Sequence, residues 1–371
     1  MSQTSFEQPR IQPGKPEAKP AYLPAIGALR GVAALYVVMF HVTLIPFPIL
    51  PMGRWLNTLV MSGGTGVPLF FIISAFTLCH TYQGRNESRP TLRFYARRVF
   101  RIVPLFYFLL VVTLLRDKLV FDQHHSVKQI MLSVVMLFNL FPGQQEGIVW
   151  ASWSIGVEML FYAMFPLLFH YVNTVAKAVL LLLASLIAAF IFMVFVQHIG
   201  LSIEARDSFF RSSLLNSMPF FAIGMIVYLF CLSRPIWSPN YGLALIVAAI
   251  SAHIILACVR AYASSWAIKF YGISYAMLVA GMLMANPRFL AHGIAQFYGN
   301  ISYSIYLLHP LVIMAMKSQY QHFYKRLPES IAWIGCFVLT LGILTPLAFL
   351  TFKCVEEPAR RWGSRIIKRA F

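Results

Sequence analysis

The chain has 371 residues, of which 59% are hydrophobic and 11% charged. Soluble domains carry about 25% charged residues, so the composition excludes a soluble globular protein and points to a polytopic membrane protein. The net charge of +18 comes from 30 Lys+Arg against 12 Asp+Glu. The basic residues sit mainly between apolar segments, which reads as membrane topology and contact with anionic lipid, not nucleic-acid binding.

Residues 1–22 hold Pro9, Pro13, Pro16 and Pro20 among polar neighbours. They are expected to form a disordered cytoplasmic tail. They do not read as a signal peptide, because no basic stretch leads into an apolar run and a small-residue cleavage site.

A helix that crosses a bilayer needs roughly 20 mostly apolar residues. Candidate spans fall near 25–46, 60–80, 102–121, 154–173, 176–197, 214–232, 241–260, 266–286, 298–317 and 331–353. The fold class is therefore all-α, a bundle of about ten transmembrane helices, with the membrane unit over 23–355 and a basic cytoplasmic tail over 356–371.

The first span, "ALRGVAALYVVMFHV", is apolar except for Arg30 and His41. Eleven residues of α-helix turn through three turns plus about 20°, so the two share a face and stand about 16 Å apart along it. Ionisable groups inside a span are costly and face the bundle interior. One face thus offers a cation toward one end of the membrane and a titratable imidazole toward the other.

Between the second and third spans, residues 81–101 hold Arg85, Arg89, Arg93, Arg97, Arg98 and Arg101. Loops rich in Lys and Arg lie in the cytoplasm. With the basic residues after 353, this predicts both termini inside and an even number of crossings. The short apolar stretch 129–141 ends in "PGQQEG", a loop signature; ten crossings require that it does not span. The i,i+4 pairs Arg93/Arg97 and Arg97/Arg101 set arginines along neighbouring helix faces, a pattern suited to phosphate. Anchoring to lipid headgroups is the plainer reading for Arg85 and Arg89.

Of the acidic residues, Glu158 alone lies well inside a span, with Ser154 four residues before it. Unpaired, a buried carboxylate stays neutral; paired with arginine or imidazolium it can remain ionised. It is a candidate site group or an ion pair that fastens helices. His253 reads as packing. In "GNISYSIYLLHPLV", Ser302, Tyr306 and His309 follow at spacings of four and three, a pattern that can line a polar pocket. Pro104, Pro219 and Pro310 mark places where kinks can open a central cavity. Cys79, Cys231, Cys258, Cys336 and Cys354 show no spacing for metal or a disulfide framework, and no metal site is expected. No phosphate-binding loop, HExxH or GxSxG occurs.

Six runs taken together resemble the acyltransferase-3 superfamily, membrane-embedded bacterial enzymes that O-acylate surface polysaccharides. They are "LRGVAALYVVMFHV", "GVPLFFIISAFTL", "FYARRVFRIVPLFY", "WSIGVEMLFYAMFPLL", "ISYSIYLLHPLVI" and "EEPARRW", in order over about residues 24–363. The family commonly reads Ser-Gly-Phe where this chain has Ser74, Ala75 and Phe76. The resemblance implies transfer of an acyl group, usually acetyl, from cytoplasmic acyl-coenzyme A to a hydroxyl of a glycan or lipid-linked saccharide, in the bacterial inner membrane. It implies catalytic roles for His41 and Glu158 and donor binding by Arg30, Arg97, Arg98 and Arg101. Ser154, Ser302, Tyr306 and His309 become candidates for substrate contact. No esterase-like soluble extension is expected after the membrane unit, so glycan recognition would fall to the membrane unit and its loops. Two readings compete with the enzyme: a transporter of an anionic substrate, and a component of envelope assembly. The internal repeats expected of many transporters are not visible.

Overall fold

The structure is a computed structural model that describes residues 22–46, 49–85, 87–232, 238–291 and 293–370. All but the last residue of the tail expected over 1–22 lie outside the described residues. The described chain is a bundle of helices. Nine are long and apolar enough to cross a membrane, and a bent pair makes up to ten.

Helix α1 (Pro24–Leu44) runs one way. The short α2 (Arg54–Met61) and a turn return the chain into α3 (Gly66–Gln83), and α4 (Pro90–Phe121) follows. The stretch predicted not to span forms α5 (Val127–Val135), whose start is closed by a capping box between Ser126 and Gln129. Nine residues reach only about 14 Å, far short of a ~30 Å hydrocarbon core. The loop that follows is pinned from within: Asn139 donates from Nδ2 to the carbonyls of Trp153 (2.9 Å) and Ser212 (2.7 Å).

The next helices are α6 (Trp153–Tyr171), α7 (Val175–Gln197), α8 (Ile203–Arg211), α9 (Leu214–Leu232), α10 (Pro239–Cys258) and α11 (Tyr271–Ala285). Helix α7 is apolar on every side, and Leu180, Ile187, Ile191 and Phe195 stand exposed. In water that would be unstable. Against lipid it is the expected surface, since a helix satisfies its own backbone there. His253 of α10 is hydrogen-bonded packing, as expected, with Nε2 2.9 Å from the hydroxyl of Tyr36.

Helix α12 (Ile294–Ala315) lies parallel to α1 and touches it along its length. Its backbone comes close because glycines meet: a Cβ on Gly31 would lie 2.8 Å from the amide nitrogen of Gly299, and one on Gly299 would lie 2.4 Å from the carbonyl oxygen of Gly27. Gly27 and Gly31 are spaced i,i+4, the small-residue pattern that lets membrane helices approach. Pro104, Pro219 and Pro310 each lie inside a helix that continues through them. The marked break comes instead after Ala315, where α13 (Lys317–Arg326) turns away by 63°. Helix α14 (Glu329–Thr351) then passes through a π-helical stretch, Phe352–Glu356, into α15 (Glu357–Ala370). Helix α15 lies against the start of α4, with Trp362 edge-on to Phe100 at 5.5 Å.

Candidate active site

The parallel packing of α1 on α12 decides what the shared face of Arg30 and His41 meets. At one end, Arg30 enters a narrow slot of about 70 Å³ between α1, α3, α4, α6 and α12. Arg98 and Arg101 enter the same slot from α4, Glu158 from α6, and Ser302 from α12. Among the described residues, none of the three guanidiniums donates a hydrogen bond, and the Nε of Arg98 is buried without a partner. Arg98 instead lies over the rings of Phe94 and Tyr162, both at 5.8 Å. Ser74 borders the slot with its hydroxyl 3.3 Å from that of Tyr162.

Two carboxylates face three slot arginines. Glu158 makes no ion pair among the described residues, although Arg30 and Arg98 both feel its charge. The second acid is Glu356, which is buried, accepts a hydrogen bond from Ser304, and feels Arg101, Arg360 and Arg30. The balance leaves an excess of positive charge around a confined space. That is an anion site by composition, with guanidinium donors free to form charge-assisted hydrogen bonds.

Arg97 does not line the slot. It pairs with Glu87 at 2.7 Å, and Arg85 reaches the same carboxylate at 3.1 Å. Burial works to raise the Glu87 carboxyl, but its bonds to Arg97 and Arg85 outweigh this and hold it below the usual carboxylate range. These two arginines thus fasten the turn between α3 and α4.

At the other end of the shared face, His41 meets His309, not Glu158. The Nε2 of His309 lies 3.2 Å from Nδ1 of His41. That Nδ1 is also 2.9 Å from the carbonyl of Val37, and Nδ1 of His309 is 2.6 Å from the carbonyl of Tyr306. Carbonyl oxygens only accept, so each Nδ1 carries a proton. The Nε2 of His309 must then accept from His41. One nitrogen is left with a lone pair and no partner in this chain of bonds: Nε2 of His41. His309 is fully buried and fixes the ring that offers it.

Tyr306 stands between the two ends. Its hydroxyl is 2.7 Å from that of Ser154 and 3.2 Å from the carbonyl of Ala151. Its ring lies 5.6 Å from Phe70 and 5.7 Å from His309. The slot ends at Phe70 and Tyr306, and the histidine pair forms the next layer. Seven predicted residues therefore gather at the slot: Arg30, Arg98, Arg101, Ser154, Glu158, Ser302 and Tyr306. His41 and His309 sit one layer beyond. Sequence reasoning missed Glu356, whose signal was the first acid of "EEPARRW" at the end of the last apolar run.

A helix bundle of membrane-crossing length, with a cationic slot leading toward a buried pair of imidazoles, has the parts of a membrane-embedded group-transfer enzyme. The family model described as an acyltransferase domain matches residues 23–349. The chain belongs to this acyltransferase-3 family and is a membrane O-acyltransferase. It is 24% identical to O-acetyltransferase OatA of Staphylococcus aureus, over 93% of this chain and 58% of that protein. It therefore spans little more than half of OatA's length. It is also 24% identical to a protein of Komagataeibacter xylinus named as a membrane-bound transacylase, BcsY, over 86% of this chain and 80% of that one. A protein of Acidianus two-tailed virus named as an acetyltransferase, ORF330, is 24% identical over 78% of this chain and 83% of its own length. No solved structure matches the chain.

Proposed function

We propose that the chain moves an acyl group, acetyl in the simplest case, from acyl-coenzyme A to a hydroxyl of a cell-surface or exported glycan. The observation that carries this reading is the slot, where Arg30, Arg98 and Arg101 offer guanidiniums with no hydrogen-bonded partner among the described residues. Coenzyme A is a phosphate-rich head on a long thin arm that ends in a thioester. Its phosphates suit the arginines, and its arm suits a slot that runs toward Tyr306 and the histidines. At about 70 Å³ the slot is smaller than the donor, so loading requires its walls to part.

His41 is the base in this reading. Its Nε2 takes the proton of the acceptor hydroxyl as that oxygen attacks the thioester carbonyl carbon. The new C–O bond forms, the C–S bond breaks, and the coenzyme A thiolate leaves and takes up the proton from the imidazolium. His309 stays neutral throughout, accepting from Nδ1 of His41 and steadying its charge. Glu158 serves the slot: with Glu356 it limits repulsion among the arginines and keeps their geometry. The arginine-rich end is cytoplasmic, as are both termini, and the membrane is the bacterial inner membrane. Reporter fusions after residue 371 that report an outside location would reverse that orientation.

The test is acyl transfer by purified protein in lipid nanodiscs. Labelled acetyl-coenzyme A is supplied with surface glycan isolated from a strain lacking this chain. Label should pass to base-labile esters on the glycan with wild type and not with His41→Ala. Wild type that binds and moves an anion across the bilayer without forming ester would instead be a transporter.

A further inference from the structure

A second cavity, of about 510 Å³, opens at the C-terminal end of α4. It lies at the end of the bundle where α1 and α12 carry His41 and His309. Met314 lines it and follows His309 by five residues, about 7–8 Å along the helix. Its other side is the turn that leads into α6. There Ala151 holds a left-handed backbone (φ 62°) that other residues than glycine seldom adopt. That turn sends Trp150 into this cavity and Ser154 into the arginine slot. Only a few residues of chain separate the two spaces.

The lining differs from the slot in charge. Asp117 is buried and binds Arg116 at 2.6 Å and His125 at 2.8 Å, so the arginine's charge is met within the wall. Gln144 carries a planar amide into the cavity, and Trp150 is half exposed there. Ser133 is almost fully buried, lines the cavity, and its hydroxyl has no partner among the described residues. Planar amides and a carboxylate suit paired hydroxyls, and an indole face suits the C–H face of a pyranose ring. With no surplus of cations, the site does not select phosphate.

We infer that this cavity is the acceptor site and takes a neutral saccharide, holding it so that one hydroxyl reaches Nε2 of His41. The inference rests on the acyl-transfer reading above. Its size falls in the range of pockets that enclose small ligands, roughly 300–1,000 Å³.

The test uses the whole chain with Trp150→Ala and, separately, Gln144→Ala, in a strain lacking the native protein. Ester-bound acetate is released from the cell's own surface glycan by mild alkali and measured. In parallel, the purified variants are heated with and without coenzyme A. The expected result is a fall in glycan acetate of about tenfold for Trp150→Ala, as loss of an aromatic anchor brings. Gln144→Ala should show a smaller fall, and the thermal shift induced by coenzyme A should match wild type in both. Normal glycan acetate in both variants overturns the acceptor site. So does a joint loss of acetate and of the coenzyme A shift, which would mean the region shapes the donor slot. If wild type itself shows neither acetate nor shift, the acyl-transfer reading fails first, and the two failures are told apart.

Discussion

The approach of α1 to α12 sets the distance between His41 and His309, and Gly299→Ala tests it. A Cβ at Gly299 would stand 2.4 Å from the carbonyl oxygen of Gly27, where ordinary contact begins at 3.4 Å. The helices must therefore part by about 1 Å at that level, since backbone on both sides cannot yield as a flexible side chain can. Helix α12 carries Ser302, Tyr306 and His309. A shift of that size stretches the 3.2 Å bond between the histidines toward 4 Å, beyond hydrogen-bond range. Overpacking of this kind costs about 1–3 kcal/mol, and misplacing a reacting group by ~1 Å can cost on the order of 10²-fold in rate. The assay pairs a thermal melt of the purified protein with turnover of labelled acetyl-coenzyme A. Gly342→Ala is the control, because a Cβ there meets nothing within 4 Å. If Gly299→Ala melts and turns over like the control, the close approach does not govern the site. If it melts earlier but keeps its turnover, the glycines hold the bundle together without aligning the chemistry.

Three further outcomes follow from the same geometry. Arg101→Ala should raise the KM for acyl-coenzyme A about 10–100-fold, as loss of a charged hydrogen bond of ~1.5–3 kcal/mol requires, whereas Arg85→Ala, tied to Glu87 outside the slot, should leave it near wild type; equal effects would detach donor binding from the slot. His41→Ala should lower kcat by ~10²–10⁴-fold and His309→Ala by roughly tenfold, the worth of one orienting hydrogen bond, with coenzyme A binding kept in both; a larger loss at His309 than at His41 would exchange their roles. Glu87→Gln should lower stability at neutral pH by about 1 kcal/mol, a modest figure because Arg85 is partly solvated. The folded carboxyl is held down, so its contribution is present above the unfolded value near ~4.3 and is lost as pH falls through the folded one; melts of both proteins should converge only below that lowered folded value, and a constant gap across pH would contradict the ion pair.

The spans, the non-spanning stretch and the identity of the embedded polar residues were readable because the bilayer punishes error. A charged group in hydrocarbon must face inward, so Arg30, Arg101 and Glu158 announced the interior without any knowledge of the fold. What was not readable depended on which helices touch. Arg97 and Arg98 are adjacent in sequence, and composition treats them alike. Only the turn between α3 and α4, with Glu87 at its centre, sends Arg97 out of the slot while Arg98 enters it. Glu356 lay hidden because it falls at the junction of an apolar run and a basic one, where an acid reads as surface.

The partner of His41 shows the same limit and carries a chemical consequence. Sequence offered Glu158 as the only embedded acid able to orient an imidazole, which would make a charged dyad. The parallel register of α12 on α1 brings His309 there instead, with Glu158 left among the arginines. A carboxylate beside the base would favour the imidazolium, the form that has no free lone pair to accept a proton. A neutral imidazole that only accepts from Nδ1 orients the ring without adding charge, so Nε2 keeps its lone pair in an apolar layer. In the mechanism proposed above, separating the acids from the base in this way lets one helix face bind an anion at one end and accept a proton at the other.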